Sequence, residues 1–314
     1  MKSRATIPLF IPEIACPHRC VFCNQYAITG NIQAPSPEQI RQTITHYLKT
    51  LSGVPFVEVA FFGGSFTGIP IEQQQQYLDL EMLKKAGVVT IELGAQSLHE
   101  EVLLHSGRGH SVQAVEQASQ MIVAHGFQLG LQMMVGLPGD TPERSKHTAK
   151  RIIALGATNT RIYPTLVVKE TALARKWKEG SYQALSVEEA LSYSITPYLL
   201  LEEANVEIIR VGLHPSEGFL RGDELLAGPF HVAFRELLMT AIWHRIYLPL
   251  CTGTPKKRAI TLCVPRDELP YAVGHGSRNK KRLLQSFCYV NYIPMERITI
   301  SPHPKRCSRL LHKA

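Results

Sequence analysis

No apolar stretch in the 314-residue sequence reaches the roughly eighteen residues that a membrane-spanning helix needs. A secretory signal is also missing, because the first apolar run after Met1 is short and is interrupted by Pro8 and Pro12. Internal repeats do not occur, and the longest low-complexity tract is the four glutamines at 73–76. We therefore expect a soluble, cytoplasmic protein that has no membrane partner.

The seven cysteines lack the spacing of a secreted disulfide framework. Four of them, Cys251, Cys263, Cys288 and Cys307, are widely separated and form no Cys-x2-Cys pair. We interpret these four as ordinary thiols, and a second metal cluster bound by them remains the alternative.

Positive charge is distributed unevenly along the chain. The formal net charge is +8, whereas residues 252–314 contain thirteen Lys or Arg and three Asp or Glu, a balance of +10. Residues 1–251 therefore carry about −2. This asymmetry predicts either a tail that faces RNA or DNA or a solvated basic tail with no partner.

Three cysteines are clustered near the start of the chain. Cys16, Cys20 and Cys23 form a Cys-x3-Cys-x2-Cys run after the apolar segment Ile7–Ile11. Three thiolates from one loop can hold three irons of a [4Fe–4S] cluster, and the open fourth iron is what binding and cleavage of S-adenosylmethionine (SAM) require. A zinc site and three unrelated thiols are the alternatives, but structural zinc usually takes a fourth ligand from a second knuckle, and His18 lies inside the same loop.

Short apolar runs alternate with helical segments, which is the pattern of βα units that form a parallel sheet or barrel. The predicted strands are Ile7–Ile11, Val57–Phe62, Val88–Leu93, Gln128–Val135 and Thr160–Tyr163. The predicted helices cover residues 38–51, 112–125, 144–155, 186–204 and 230–247. Ser36, Ser111 and Thr141 mark three of the helix starts as capping residues.

A glycine pair follows the second predicted strand. Gly63, Gly64 and Ser65 come directly after Val59–Phe62. Adjacent glycines let the backbone approach a ligand closely, and cofactors bind at the C-terminal ends of barrel strands. A glycine pair alone is typical of an ordinary turn, but here it follows the cysteine run by about forty residues.

With these motifs the chain resembles the radical SAM superfamily, and most closely the radical SAM core of the Elp3 family. The resemblance spans about residues 5–240 and implies an α/β fold, a partial (β/α) TIM-type barrel of the radical SAM class. Besides the cysteine run and the glycine pair, the matching segments are Ile91–Ser97, Gly107–His110, Leu131–Thr141 and Arg161–Val167. We divide the chain into a partial barrel over residues 1–165, an Elp3-like helical extension over 166–251 and a basic C-terminal appendage over 252–314.

The resemblance also implies a role for each matching residue. Cys16, Cys20 and Cys23 would ligate the cluster. The SAM adenine would lie near Phe22 and Gly136, and the methionine amino group would be received by Gly63, Gly64 and Ser65. The SAM carboxylate or ribose would be contacted by Gln96, Arg108 and Gln132. A guanidinium suits a carboxylate, and an amide suits ribose hydroxyls. Alternatively, Gln132 satisfies a buried backbone group and Arg108 is a loop cation.

The activity implied by the resemblance is that of a radical SAM enzyme. A reduced cluster would pass an electron to SAM, which would yield methionine and a 5′-deoxyadenosyl radical that abstracts hydrogen from a substrate. The implied partner is an electron donor such as a flavodoxin or ferredoxin. The resemblance leaves the substrate open, and likeness to Elp3 suggests tRNA as one candidate.

The sequence departs from the family pattern at two points. It shows no coenzyme A loop of an acetyltransferase domain, so it resembles a stand-alone relative. Between Gly63 and Val88 it leaves room for one helix and no strand, so we count five barrel strands where the family has six, with an apparent deletion near residues 69–84. Two alternatives follow, namely a truncated, catalytically inactive cluster-binding protein and an RNA-binding protein built on the same scaffold.

One further segment bears on RNA binding. Residues Gly274–Arg282 loosely resemble the glycine loop of KH-type RNA modules, but the spacing of their glycines does not fit Gly-x-x-Gly.

Overall fold

The computed structural model describes residues 4–11, 20–22, 36–51, 53–54, 56–63, 84, 88–213, 221–251 and 258–296. The chain divides into two compact units, the first Met1–Phe230 and the second His231–Ala314. In the described ranges no helix combines the length and the hydropathy that crossing a membrane requires.

The first unit contains a six-stranded parallel sheet, whose strands lie side by side in the order of the sequence. A separate pair of short strands is antiparallel. The strands of this unit are β1 (Arg4–Ile11), β2 (Phe56–Gly63), β3 (Thr90–Gln96), β4 (Gln128–Val135), β5 (Asn159–Pro164), the short β6 (Val167–Val168), β7 (Glu207–Val211) and the short β8 (Leu225–Ala227). No pairing joins β1 to β7 in the described parts of the chain, so the sheet is the partial barrel that the sequence predicts.

Helices follow most of these strands, as in βα units. They are α1 (Pro37–Thr50), α2 (Glu100–His105), α3 (Val112–Ala124), α4 (Pro142–Ala154), α5 (Ala172–Lys178) and α6 (Val187–Glu203). The three predicted caps are confirmed, because the side chains of Ser36, Ser111 and Thr141 each accept a backbone N–H from the first turn of their helix.

The two faces of the sheet differ in polarity. Side chains alternate between faces along a strand, and one face of the central strands is apolar and buried, with Ile91, Leu93, Leu129, Leu131 and Ile162 almost fully covered. The other face, which we call the inner face, carries polar side chains from β3, β4 and β5. The fold therefore presents a polar inner face backed by an apolar core.

The sheet has one strand more than we predicted. All five predicted strands are confirmed, and β7 pairs with β5 as a sixth, so the count of five is corrected to six. Its sequence signal was a β-branched run, Ile208, Ile209 and Val211, bounded by Asn205 and Gly212, which both have positive φ. The run is too short to separate from a loop by periodicity alone.

β2 and β3 are direct neighbours. They share two residue pairs, Val59 with Ile91 and Ala60 with Glu92, whereas β1 and β2 share eight. No strand separates β2 from β3 among the residues that the structure describes. The helix expected between Gly63 and Val88 lies outside those residues, apart from Lys84.

The second unit consists of α7 (Phe234–Cys251), β9 (Ala259–Pro265), α8 (Leu269–Val273), α9 (Arg278–Ser286) and β10 (Tyr289–Met295). β9 and β10 pair in parallel over their whole length. Their inner side chains form an apolar core with the helices, made of Trp243, Tyr247, Leu262, Val264, Ala272, Leu283, Phe287 and Val290. Residues 259–295 thus form a strand, two helices and a strand that share this core with α7.

Candidate cofactor and substrate site

Cys20 is the predicted cluster ligand that the structure describes, while Cys16 and Cys23 lie outside the described residues. It is 7% exposed, and Arg108 donates from Nη1 to its Sγ over 3.5 Å. The N–H of the next residue, Val21, donates to the backbone oxygen of Ser106 over 2.9 Å. The segment after α2 thus anchors Cys20 and places the Arg108 guanidinium beside its sulfur.

Three predicted site residues converge around Gly94 on the inner face of β3. Arg108 donates from Nη2 to the Gly94 oxygen over 2.7 Å. A Cβ added at Gly94 would lie 2.7 Å from Gln96 Nε2 and 3.0 Å from Arg108 Nη2. Because Gly94 has no Cβ, the side chains of Gln96 and Arg108 can both pack against it. Arg108 in turn contacts Cys20.

This cluster contains two buried polar atoms whose hydrogen-bonding capacity is unused. Within the described ranges neither Gln96 Oε1 nor Arg108 Nε has a partner, although their residues are 9% and 6% exposed. Gln96 also has a φ of +62°, a left-handed conformation that costs energy in a residue other than glycine. Unpaired buried groups and local backbone strain are typical of ligand sites.

The predicted adenine contact, Gly136, lies in a tight turn directly after β4. Its φ is +78°, its N–H donates to Asp140 Oδ2 over 2.8 Å, and its oxygen accepts from the Tyr182 hydroxyl over 2.7 Å. A Cβ there would lie 2.5 Å from Leu185 Cδ1. Backbone conformation and close packing therefore both require glycine at this position.

Gly136→Ala is expected to lower the free energy of unfolding by about 3 kcal/mol, of which about 1–2 comes from the left-handed conformation and the rest from the steric overlap with Leu185. Gly156→Ala is the matched control, because Gly156 has a φ of +76° and no heavy atom within 4 Å of an added Cβ. Chemical denaturation of both variants measures the difference. Equal decreases in the free energy of unfolding of the two variants would show that Leu185 moves away from the added methyl group without an energetic cost.

The carboxyl group of Asp140 closes the same turn. It accepts from the Gly136 N–H, from the Thr141 N–H over 2.9 Å and from the Ser145 hydroxyl over 2.7 Å. Burial raises the pKa of Asp140 from 3.8 to about 6, although these hydrogen bonds and the Arg144 charge oppose the rise. Asp140 thus titrates close to neutral pH while holding the turn.

The stability of the wild-type protein relative to Asp140→Asn is expected to fall between about pH 4 and pH 6. In that interval the folded carboxyl keeps its proton and the unfolded one has lost it, so raising the pH favours unfolding by up to about 3 kcal/mol. Denaturation curves at several pH values measure the effect, with Glu143→Gln as an exposed control. A difference in the free energy of unfolding between wild type and Asp140→Asn that stays constant from about pH 4 to pH 6 would contradict the raised pKa.

The middle of the inner face carries a buried ion pair. Arg161 Nε and Glu92 Oε1 are 2.7 Å apart, and their side chains are 13% and 6% exposed. Burial lowers the pKa of Arg161, but the Glu92 carboxylate outweighs this, so that the pKa is raised overall. Burial raises the pKa of the neighbouring Tyr163, an effect that Arg161 opposes. Arg161 therefore keeps its positive charge on the inner face.

The remaining polar groups of the inner face lie around this pair. Gln132 is beside Arg161 in register, and a Cβ on Gly130 would lie 2.4 Å from Asn159 Oδ1 and 3.0 Å from Glu92 Cγ. Both polar atoms of the Asn159 side chain are buried without a hydrogen-bond partner in the described part of the chain. The inner face therefore has hydrogen-bonding capacity left for a polar ligand.

A small apolar cluster connects the cysteine segment to the Gly136 turn. Phe22 is half-buried against it, and its buried members are Val21, Val167, Leu173, Ala174 and Tyr182. Tyr182 also donates to the Gly136 oxygen, and burial raises the pKa of its hydroxyl, so that it stays a donor. The two predicted adenine contacts, Phe22 and Gly136, are thus joined through Tyr182.

The predicted site residues and those found at the site differ in two ways. Gly63 ends β2 beside Ile11, whereas Gly64 and Ser65 lie outside the described residues. Sequence reasoning missed Glu92, Gly94, Asp140, Asn159 and Tyr182 as members of the site. Glu92 had a usable signal, because a carboxylate in the middle of an apolar strand needs a partner. Tyr182 had none.

Two family models match the chain. The model described as the radical SAM superfamily matches residues 76–152, and the model described as the radical SAM C-terminal domain matches residues 158–243. The two matches do not overlap and together cover about half of the 314 residues.

Two curated relatives are similar over part of their length. The tRNA uridine(34) acetyltransferase of Methanocaldococcus infernus is 33% identical over 116 residues, which are 36% of this chain and 22% of the relative. Elongator complex protein 3 of Schizosaccharomyces pombe is 33% identical over 173 residues, 51% of this chain and 32% of the relative. The chain thus matches between about a fifth and a third of the length of these two proteins.

One solved structure has a similar fold. It is the archaeal Elp3 of Methanocaldococcus infernus with an N-terminal deletion, with a TM-score of 0.52, 20% sequence identity, and coverage of 78% of this chain and 64% of that one.

Proposed function

Because the chain belongs to the radical SAM superfamily, we propose that it is an enzyme that cleaves SAM for hydrogen abstraction from an RNA substrate, with tRNA as the first candidate. The observation that carries this proposal is the convergence of Cys20, Gln96 and Arg108 around Gly94, where two buried polar atoms have no partner in the described ranges. A [4Fe–4S] cluster and SAM, when bound, supply the radical chemistry.

The residues at the site fit these groups. Cys16, Cys20 and Cys23 would hold the cluster, and Arg108 fixes Cys20 to β3 by bonding both the Cys20 sulfur and the Gly94 oxygen. Its unused Nε–H and the unused Gln96 oxygen offer one donor and one acceptor to the polar ends of SAM.

We assign the other SAM contacts from the resemblance. They are Gly63, Gly64 and Ser65 for the amino group, Gln132 for a hydroxyl or carboxylate, and Phe22 and Gly136 for the adenine. The apolar cluster around Tyr182 excludes water from the adenine side. The Glu92–Arg161 pair and the side chain of Asn159 present charge and hydrogen-bonding groups where a substrate base or ribose would enter.

The partners follow from the chemistry and the charge. Radical SAM enzymes require a reductant, and we assign this role to a flavodoxin or ferredoxin in the cytoplasm. RNA as the substrate is supported by the balance of +10 over residues 252–314 and by the name of the tRNA-modifying relative.

A second candidate is a cluster-binding protein without catalytic activity. It is favoured by the direct pairing of β2 with β3 through two residue pairs, since a family strand expected between them would also line the SAM site. Such a protein would bind iron and sulfide but hold SAM poorly.

Anaerobic reconstitution followed by chromatography for 5′-deoxyadenosine separates the two candidates. Iron incorporation together with 5′-deoxyadenosine formed under reducing conditions supports the enzyme. Iron incorporation with neither SAM affinity nor product supports the second candidate. Colourless, iron-free protein after reconstitution would refute both.

A further inference from the structure

The second unit contains a glycine loop between two helices. The elements run β9, a 3-10 turn (Arg266–Glu268), α8, the four residues Gly274, His275, Gly276 and Ser277, then α9 and β10; the last three of the four form a kinked 3-10 turn. KH-type RNA modules use a Gly-x-x-Gly loop to clamp the backbone of single-stranded RNA. The sequence argues against this likeness, because a serine stands at the fourth position of the loop.

The backbone of the loop removes that objection. Gly274 and Gly276 have φ values of +87° and +61°, and Ser277 has a φ of +60°. Ser277 therefore adopts the left-handed conformation for which a glycine at the fourth position would be suited. At Gly274 a Cβ would lie 2.9 Å from the Asn279 backbone nitrogen, so the first position does require glycine.

Hydrogen bonds hold the loop in place on α7. The His275 N–H donates to the Thr240 hydroxyl over 2.9 Å, and Asn279 donates from Nδ2 to the Thr240 oxygen over 2.9 Å. His275 and Gly276 at the tip are exposed. The loop is thus rigid at its base and accessible at its tip, as a backbone clamp needs to be.

Asn279 lies directly beneath this loop and is fully buried. Its Cγ would be 3.2 Å from a Cβ on Gly274. The amide nitrogen is turned towards the backbone oxygens of Thr240 and Tyr271, while Oδ1 has no hydrogen-bond partner in the described residues. Asn279 therefore ties the loop to α7 from beneath.

The helix that follows presents a basic face, which we define as Arg278, Lys280, Lys281 and Arg282. All four side chains are exposed, and the helix contains no carboxylate. In the described residues none of the four forms an ion pair. The helix dipole repels cations in the first turn of a helix. An anion bound at the N-terminal turn of α9 would offset this repulsion.

We infer that the loop Gly274–Ser277 and the basic face bind the phosphodiester backbone of single-stranded RNA. The loop supplies close backbone approach, and the basic face supplies charge complementarity. The choice of RNA over DNA rests on the proposed function, whereas the site itself does not depend on the radical chemistry.

Binding of a short, labelled, single-stranded RNA of mixed sequence to the full-length chain tests this inference. Fluorescence anisotropy between about 50 and 200 mM salt should show affinity that falls steeply with salt. Lys280→Gln/Lys281→Gln should bind about tenfold more weakly, and its log–log salt slope should be shallower by about 0.7 for each phosphate that the variant no longer neutralises.

The matched control is Lys146→Gln/Lys150→Gln, which removes two exposed lysines from one face of α4 and should bind like the wild type. Equal weakening by both double variants, no binding by the wild type, or equal or tighter binding of single-stranded DNA or duplex RNA would overturn the inference. The assay uses protein without cofactors, so its failure is distinct from a failure to form 5′-deoxyadenosine.

Discussion

If the proposed function holds, Cys20→Ala removes most of the iron from reconstituted protein and reduces 5′-deoxyadenosine formation by about a thousandfold or more, because the chemistry would belong to a cofactor held by the three thiolates. Two cysteines cannot keep three irons in place. The effect is measured as iron per chain, as absorbance of the anaerobic protein and as product formed under reduction.

A control has to separate the removal of a ligand from the removal of a buried side chain. Cys263→Ala serves this purpose, because Cys263 is a partly buried thiol in β9 of the second unit. Truncating a small side chain costs about 1 kcal/mol of stability, which leaves the first unit folded in both variants. Equal iron contents in the Cys20→Ala and Cys263→Ala proteins would contradict a cluster at the N-terminal cysteines.

Glu92→Gln is expected to lower the free energy of unfolding by about 3–5 kcal/mol, because it leaves the Arg161 charge buried without its partner. Arg161→Gln should have a similar effect for the converse reason. The double variant Glu92→Gln/Arg161→Gln should recover much of this stability, since two amides at this position bury no charge. Denaturation of the wild type and the three variants forms a double-mutant cycle.

The exposed ion pair between Arg144 and Glu101 is the natural control for this cycle. Their side chains are 27% and 60% exposed, and a surface pair contributes at most about 1 kcal/mol. Glu101→Gln should therefore have little effect. A destabilisation by Glu92→Gln no larger than that by Glu101→Gln would show that water reaches the inner face and screens the pair.

Local patterns in the sequence were sufficient for most elements of the fold. Apolar runs located five of the six strands of the main sheet, and three helix starts followed from capping residues. The strand β7 was missed because its five residues carry too little periodicity. Pairing between β2 and β3 was not predictable, since register depends on interactions between distant segments rather than on either segment alone.

The site was predictable as a set of residues but not as an arrangement. Matching motifs named Cys20 and Arg108, yet these residues are 88 positions apart in the sequence, and only the folded chain shows that they touch. Gln96 owes its position to a left-handed backbone and to a register shift between β3 and β4. No propensity of glutamine predicts that conformation.

The narrow pairing between β2 and β3 gives the main sheet a seam. On one side, β1 leads into the cysteine run and β2 ends at the glycine pair; on the other, β3 and β4 carry Gln96 and Gln132. Few hydrogen bonds hold this boundary, so the sheet should open there first when it unfolds locally. A ligand that contacts residues on both sides of this boundary would hold β2 and β3 together. Amide protons of β2 and β3 should therefore exchange more slowly once the ligand is bound.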